Sequence, residues 1–220
     1  MGNSLKTAVI LYHKDVQRYN PEWIKKCVDS IRNQTYKEFD VFELDYWATF
    51  TQIYEGSLFS STDKVEQISN HASAHNWLLD KVFELGYDCA FNVNVDDIYS
   101  LDRFEKQLPW IEKGYDVVSS NFHHIDERGR VLYPMIFDKL DPHKESLRGH
   151  NIIAHPVVCY SKHFWLNCAR LNPLEIPKDD FNLWRRSYGH FKFKILPDFL
   201  LYYRVHKQKA SASKQKVRVR

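Results

Sequence analysis

The sequence predicts an α/β fold: a single domain built on a mostly parallel central sheet flanked by helices. Three observations predict it. Short unbroken apolar runs, of which Ala8-Val9-Ile10-Leu11-Tyr12 is the first, mark strands buried on both faces. Between the runs, apolar residues recur at helical spacing, so the chain opens β-α-β-α-β and calls for parallel strands joined by crossover helices. The chain has 220 residues, 44% of them hydrophobic, which is enough for one sizeable core.

The elements follow in order. After the first strand, Asn20-Pro21 supplies a helix N-cap with proline at the first helical position, and Ile24, Cys27, Val28 and Ile31 recur at helical spacing behind it. Phe39 to Leu44 reads as a second strand ending at Asp45. Residues 46–66 are rich in Ser and Thr and show no period. A helix is expected from about Glu66 to Leu85, with Gly86 as its stop. Asp88 to Val95 reads as a third buried strand, broken by Asp96-Asp97. Asp102 can cap a helix carrying Phe104, Leu108 and Ile111, stopped by Gly114. Tyr115 to Ser119, Val131 to Tyr133, Asn151 to Tyr160, Phe191 to Leu196 and Phe199 to Val205 read as later strands. Residues 134–150 read as a polar connection, and Asp179 to Tyr188 as a last helix.

Charge divides the chain unevenly. The formal net charge is +3, yet residues 207–220 carry six Lys/Arg and no acid, leaving 25 basic against 28 acidic residues in 1–206. The basicity belongs to the tail, whereas a nucleic-acid-binding fold would carry its basic patch on the folded body. Residues 1–206 are therefore expected to form the domain, and 207–220 a basic, flexible extension able to touch an anionic membrane surface. The four cysteines lie far apart with no C-x-x-C pair, as for free thiols in a reducing compartment. No run approaches the ~20 apolar residues of a bilayer span, and the N-terminus is too polar for a signal peptide. A soluble, cytoplasmic protein is expected.

The residues that draw attention are acidic. In parallel sheets ligands bind outside the carboxyl ends of the strands, where Asp45 and Asp96-Asp97 both fall. Two readings of Asp96-Asp97 stand side by side: a polar turn bonded to its own backbone, or carboxylates that hold a hard divalent cation such as Mg²⁺ or Mn²⁺. Asp179-Asp180 likewise either complements a helix dipole or supplies a base. His71 and His75, four apart on one helix, lack a third ligand; a solvated face is expected there, with His75 near a bound ligand.

Six segments in order then resemble family 2 glycosyltransferases. Ser30-Ile31-Arg32-Asn33-Gln34-Thr35-Tyr36 looks like that family's S-I-x-x-Q-T-Y. Ala74-His75-Asn76 resembles A-R-N with His for Arg. Asn94-Val95-Asp96-Asp97-Ile98-Tyr99 with Asp102-Arg103-Phe104-Glu105-Lys106-Gln107 is similar to D-x-D-D-I-Y…D-R-L-E-K-Q. His155-Pro156 matches a recurrent H-P pair, Asp179-Asp180-Phe181-Asn182-Leu183-Trp184-Arg185 resembles E-D-Y-D-L-W-x-R, and Tyr203-Arg204-Val205-His206 resembles Y-R-x-H. The matches cover roughly residues 7–213, and their common order makes them specific.

The resemblance implies a single GT-A (Rossmann-like) domain and an inverting, divalent-metal-dependent transfer of a sugar from a nucleotide sugar, a UDP-sugar, to the hydroxyl of a glycan, lipid or protein-linked acceptor. It implies Asp96 and His206 as metal ligands (Mn²⁺ or Mg²⁺), Asp180 as general base beside Asp179, and Asp45, His75, Asn94, Asp97 and Arg204 around the donor. Asn94 stands where the family has its first Asp, which removes one charge from the metal site. Two alternatives follow: a nucleotide-sugar-binding protein impaired in turnover, or a nucleotidyltransferase of similar architecture. Tyr12-His13-Lys14-Asp15 holds no glycine for a phosphate loop, which counts against the latter.

Overall fold

The structure is a computed structural model and describes residues 4–46, 49–61 and 68–206. The basic tail and the expected helix start at Glu66 lie outside the described residues. The first strand, β1 (Thr7–His13), leads into α1 (Pro21–Arg32), where the Asn20 side chain accepts from the Glu22 amide at 3.0 Å, as the Asn-Pro pair predicts. Strands β2 (Phe39–Asp45) and β3 (Leu58–Ser61) precede α2 (His71–Glu84), so the segment without a period contains a short strand. Then come β4 (Cys89–Val93), β5 (Ile98–Tyr99), α3 (Arg103–Glu112), β6 (Val117–Ile125), β7 (Val131–Met135), α4 (Pro142–Leu147), β8 (Cys159–Ser161), α5 (Lys162–Asn167), α6 (Asp179–Ser187) and β9 (Phe193–Arg204).

These strands form one mixed sheet in the order β3-β2-β1-β4-β8-β6-β9-β5, with β7 paired to β6. The pairs β3-β2, β2-β1, β1-β4 and β6-β9 are parallel; β8 enters antiparallel between β4 and β6. The apolar run of β1 serves both faces. Ala8 and Ile10 pack toward α2, Trp165 and Trp184. Val9 and Leu11 pack toward α1 and α3. That division is what period-two alternation in a doubly covered strand produces.

Four expectations change. Asn151–Tyr160 is a strand only from Cys159; His155–Val157 is a 3₁₀ turn, because Pro156 has no N–H for a ladder. The two late strands are one, with its register shifting between Ser120 and Asn121 opposite Pro197; the Asn121 amide donates to the Pro197 carbonyl at 3.1 Å and spans the break. The polar connection 134–150 contains α4, capped by Asp141. Asp102 occupies the cap position of α3, but its side chain takes Ser100 Oγ and Lys106 Nζ, not a helix amide.

Several residues of the matched segments work as side-chain stitching. Gln34 donates to the carbonyls of Ser30 and Ser100 and accepts from the Phe104 amide. Arg103, fully buried, donates to the carbonyls of Asn92 and Val158 and to Gln107 Oε1. Gln107 passes its own amide hydrogens to the carbonyls of Val118 and Val157. A buried guanidinium with such partners costs far less than a bare one.

Candidate active site

The parallel register places His13 opposite Asp45 at the carboxyl end of β1 and β2. Asp45 has no exposed surface; its Oδ2 accepts from Thr49 Oγ1 at 2.6 Å and the Thr51 amide at 3.2 Å. Two residues earlier, Glu43 is equally buried and takes His13 Nε2 at 2.9 Å, the amides of Ile53 and Tyr54, and Ser57 Oγ. Sequence reasoning missed this pair. Its only trace was an acid inside an apolar run, Phe42-Glu43-Leu44.

Beyond the end of β4, Asp96 meets the end of β9. Its Oδ2 lies 2.7 Å from His206 Nε2, and both residues are buried. His206 in turn stands against Trp23, with ring centroids 4.8 Å apart, and Tyr19, at 6.1 Å. Asp97, also buried, accepts the Arg204 backbone amide at 2.8 Å. The Arg204 guanidinium donates to the carbonyls of Asp96, Asp126 and Glu127. Arg204 is buried, and its bond to the Asp96 carbonyl orders the loop that carries Asp96. Asn94 is half-buried, and its amide is anchored by Tyr99 Oη at 2.8 Å.

A second cluster forms where α6 faces α2. Asp179, in the first turn of α6, takes His71 Nε2 at 3.1 Å. Burial alone would raise the Asp179 carboxyl, but the hydrogen bond and charge of His71, with His155, outweigh it and hold it below the ordinary value. Asp180 is half-buried; its Oδ1 accepts the Phe181 amide and its Oδ2 accepts Asn151 Nδ2 at 3.1 Å. Burial pushes its carboxyl above the ordinary value, against the pull of His155 and with a push from Asp179. One carboxyl of the pair is thus held below the ordinary value and its neighbour above it, the divergence expected of acid–base sites.

His75 lies under this cluster and not on a solvated face. It is fully buried among the rings of Tyr12, His155, Tyr160 and Trp165, with centroids 4.9 to 5.7 Å away. Burial lowers its imidazole well below 6.5, and that of His155 also falls below 6.5. His155 bridges the two levels. Its carbonyl accepts Asn92 Nδ2 at 2.9 Å, and its ring packs on His75 and, at 6.0 Å, on Trp184, one helical turn beyond Asp180.

No group of three or more His, Cys, Asp or Glu suited to a metal ion occurs among the described residues. Among the described residues, the carboxylate of Asp96 and the imidazole of His206 stand together as candidate donors for a cation. Such a pair fits an ion whose other positions are filled by phosphate oxygens and water. No helix among the described residues is long and apolar enough to cross a membrane.

No family model matches the chain. Among curated proteins it is 23% identical to the O-antigen biosynthesis glycosyltransferase WbnJ of Escherichia coli over 212 residues, 90% of this chain and 80% of that protein. It is 27% identical to the amylovoran biosynthesis glycosyltransferase AmsE of Erwinia amylovora over 210 residues, 88% of this chain and 73% of that protein. Among solved structures, S. aureus TarS 1-349 superposes with a TM-score of 0.67 at 16% identity over 91% of this chain. The complex of TarS 1-349 with UDP-GlcNAc gives 0.69 at 14% identity over 95%. The chain spans only 60% and 61% of those two solved chains. The chain has the fold of those solved structures, of the GT-A type, and the curated relatives it matches over most of its length carry glycosyltransferase activity in their names.

Proposed function

We propose that the protein transfers a sugar, with inversion, from a UDP-sugar to an acceptor hydroxyl, with Asp180 as general base and Asp96 and His206 as the residues that would hold a divalent cation. The observation that carries this reading is the pairing of two unlike acidic sites on one fold: Asp96 closed onto His206, and Asp180 half-open beside its anionic neighbour. The UDP-GlcNAc held by a structural neighbour supports the choice of donor.

Asp180 takes the proton of the attacking hydroxyl. Its raised proton affinity suits that task, and Asn151 and the Phe181 amide aim its oxygens. Asp179 stays ionised on His71 and favours departure of the proton from the acceptor. Asp45 lies at the nucleoside end, at the close of β2 and beside a loop that Glu43 fastens through the amides of Ile53 and Tyr54. A bound Mn²⁺ or Mg²⁺ would supply Lewis-acid stabilisation of the leaving diphosphate.

The test is release of UDP from a panel of UDP-sugars with and without Mn²⁺. Metal-dependent release that disappears in Asp96→Ala and Asp180→Asn supports the reading; metal-independent release in the wild type refutes the metal role. Asn94 favours one other reading, binding without turnover. Calorimetry showing tight UDP-sugar binding while no acceptor elicits release would establish that instead.

A further inference from the structure

The contacts of Trp23 extend past His206 and tie three separate chain segments together. Its indole N–H donates to the Glu127 carbonyl at 2.8 Å, in the turn between β6 and β7. Its ring lies 5.1 Å from the Arg204 guanidinium and 4.8 Å from the His206 ring. The same turn presents the carbonyls of Asp126 and Glu127 to Arg204 Nη1, and Arg204 Nε holds the Asp96 carbonyl. The turn is itself built to face inward: Asp126 accepts the Arg128 and Arg130 amides and Arg130 Nε. Gly129, at φ +86°, supplies the left-handed conformation the turn needs, and a Cβ there would come no closer than ordinary contact, 3.9 Å, to Arg204 Nη1.

We propose that Trp23 is a positioning residue: it clamps the β6–β7 turn to Arg204 and braces the His206 ring, so that His206 and Asp96 meet at fixed geometry. This rests on reading Asp96 and His206 as the donor-site pair. Indole serves all three contacts at once, because it couples a broad π-face for guanidinium and imidazole with one N–H for a carbonyl. Side chains that orient ligating groups typically alter metal affinity by about 10- to 100-fold when removed.

Two measurements on Trp23→Leu and Trp23→Phe test the clamp, with Phe83→Leu in the opposite core layer as a control for general destabilisation. Hydrogen exchange of the metal-free protein reads the clamp directly. In Trp23→Leu the amides of Arg204, Val205 and Gly129, bonded to Asp97, Ile125 and Asp126, exchange about tenfold faster or more, while those of β1 and β2 keep their rates. Calorimetry reads the consequence: the Kd for UDP with Mn²⁺ rises about 10- to 100-fold, the metal-free Kd holds, and Trp23→Phe, which keeps a ring, recovers part of the loss. Unchanged exchange at the three amides, or equal weakening with and without Mn²⁺, overturns the proposal. If the wild type itself gains nothing from Mn²⁺, the metal reading fails, and the exchange data alone still decide for or against the clamp. Should Trp23→Leu fail to fold, Trp23→Phe must still speed exchange at Gly129, since it removes the bond to Glu127.

Discussion

Asp96-Asp97 follows β4 and Asp179-Asp180 opens α6, and the two dipeptides invite comparison. In each, one carboxylate is bonded into the fold: Asp97 to the Arg204 amide, Asp179 to His71. Their neighbours differ. Asp96 is buried and closed onto an imidazole, in a loop whose carbonyl is also held. Asp180 is half-open, touched by one exposed asparagine amide and one amide of its own helix. The difference matches two chemical tasks. A developing diphosphate charge is best met by groups that need no rearrangement, whereas a base must reach an incoming hydroxyl and exchange its proton with it.

The sharpest way to break that comparison is Asp180→Asn. Loss of the base should lower kcat by about 10²- to 10⁴-fold, with the melting temperature and the Kd for UDP unchanged; steady-state UDP release, calorimetry and thermal melts check this. Asp97→Ala should do the reverse. It strands a buried amide hydrogen and costs about 1–3 kcal/mol, a fall of about 2–4 °C per kcal/mol in thermal melts of a chain this size. If Asp97→Ala melts like the wild type, the division of labour within the first pair is wrong.

Proton titration sharpens the comparison further. Because burial raises the Asp180 carboxyl, the acid limb of the kcat profile should turn down above the ordinary value of 3.8. Asp180→Asn should erase that limb. The smallest effect concerns His75. Its folded-state pKa is depressed below 6.5, so below pH 6.5 the unfolded chain binds a proton that the folded chain refuses. Stability is therefore lost as pH falls below 6.5, and His75→Phe should flatten that slope in pH-dependent denaturation.

Much of the first half of the fold was legible because its signals are local. Ala8 to Tyr12, the Asn20-Pro21 cap and the strand ending at Asp45 each depend on neighbours within a few residues. For the candidate site residues, the sequence offered no view of their partners. His75 looked like a face toward solvent because the rings that enclose it, Tyr160 and Trp165 among them, arrive from some ninety residues downstream. For Arg204, nothing near it in sequence announces the turn carbonyls of Asp126 and Glu127 that it bonds. His155 fell within a stretch read as a strand, and only Pro156 hinted that the ladder would break. Glu43 was hidden because its partners lie on a loop with no period of its own.

The short β8 strand carries a consequence for how the molecule can come apart. It joins β4 through three residue pairs and β6 through two, and the turn that carries His155 leads straight into it. This is a natural seam between cooperative units: β1 to β4 with their helices on one side, β6 and β9 on the other. Arg103 and Gln107 act as sutures across it, because their bonds reach carbonyls on β4 and β6 and in the segment leading into β8. Cutting either suture should lower the free energy of a partial opening that parts the sheet at its narrowest join while leaving each half folded.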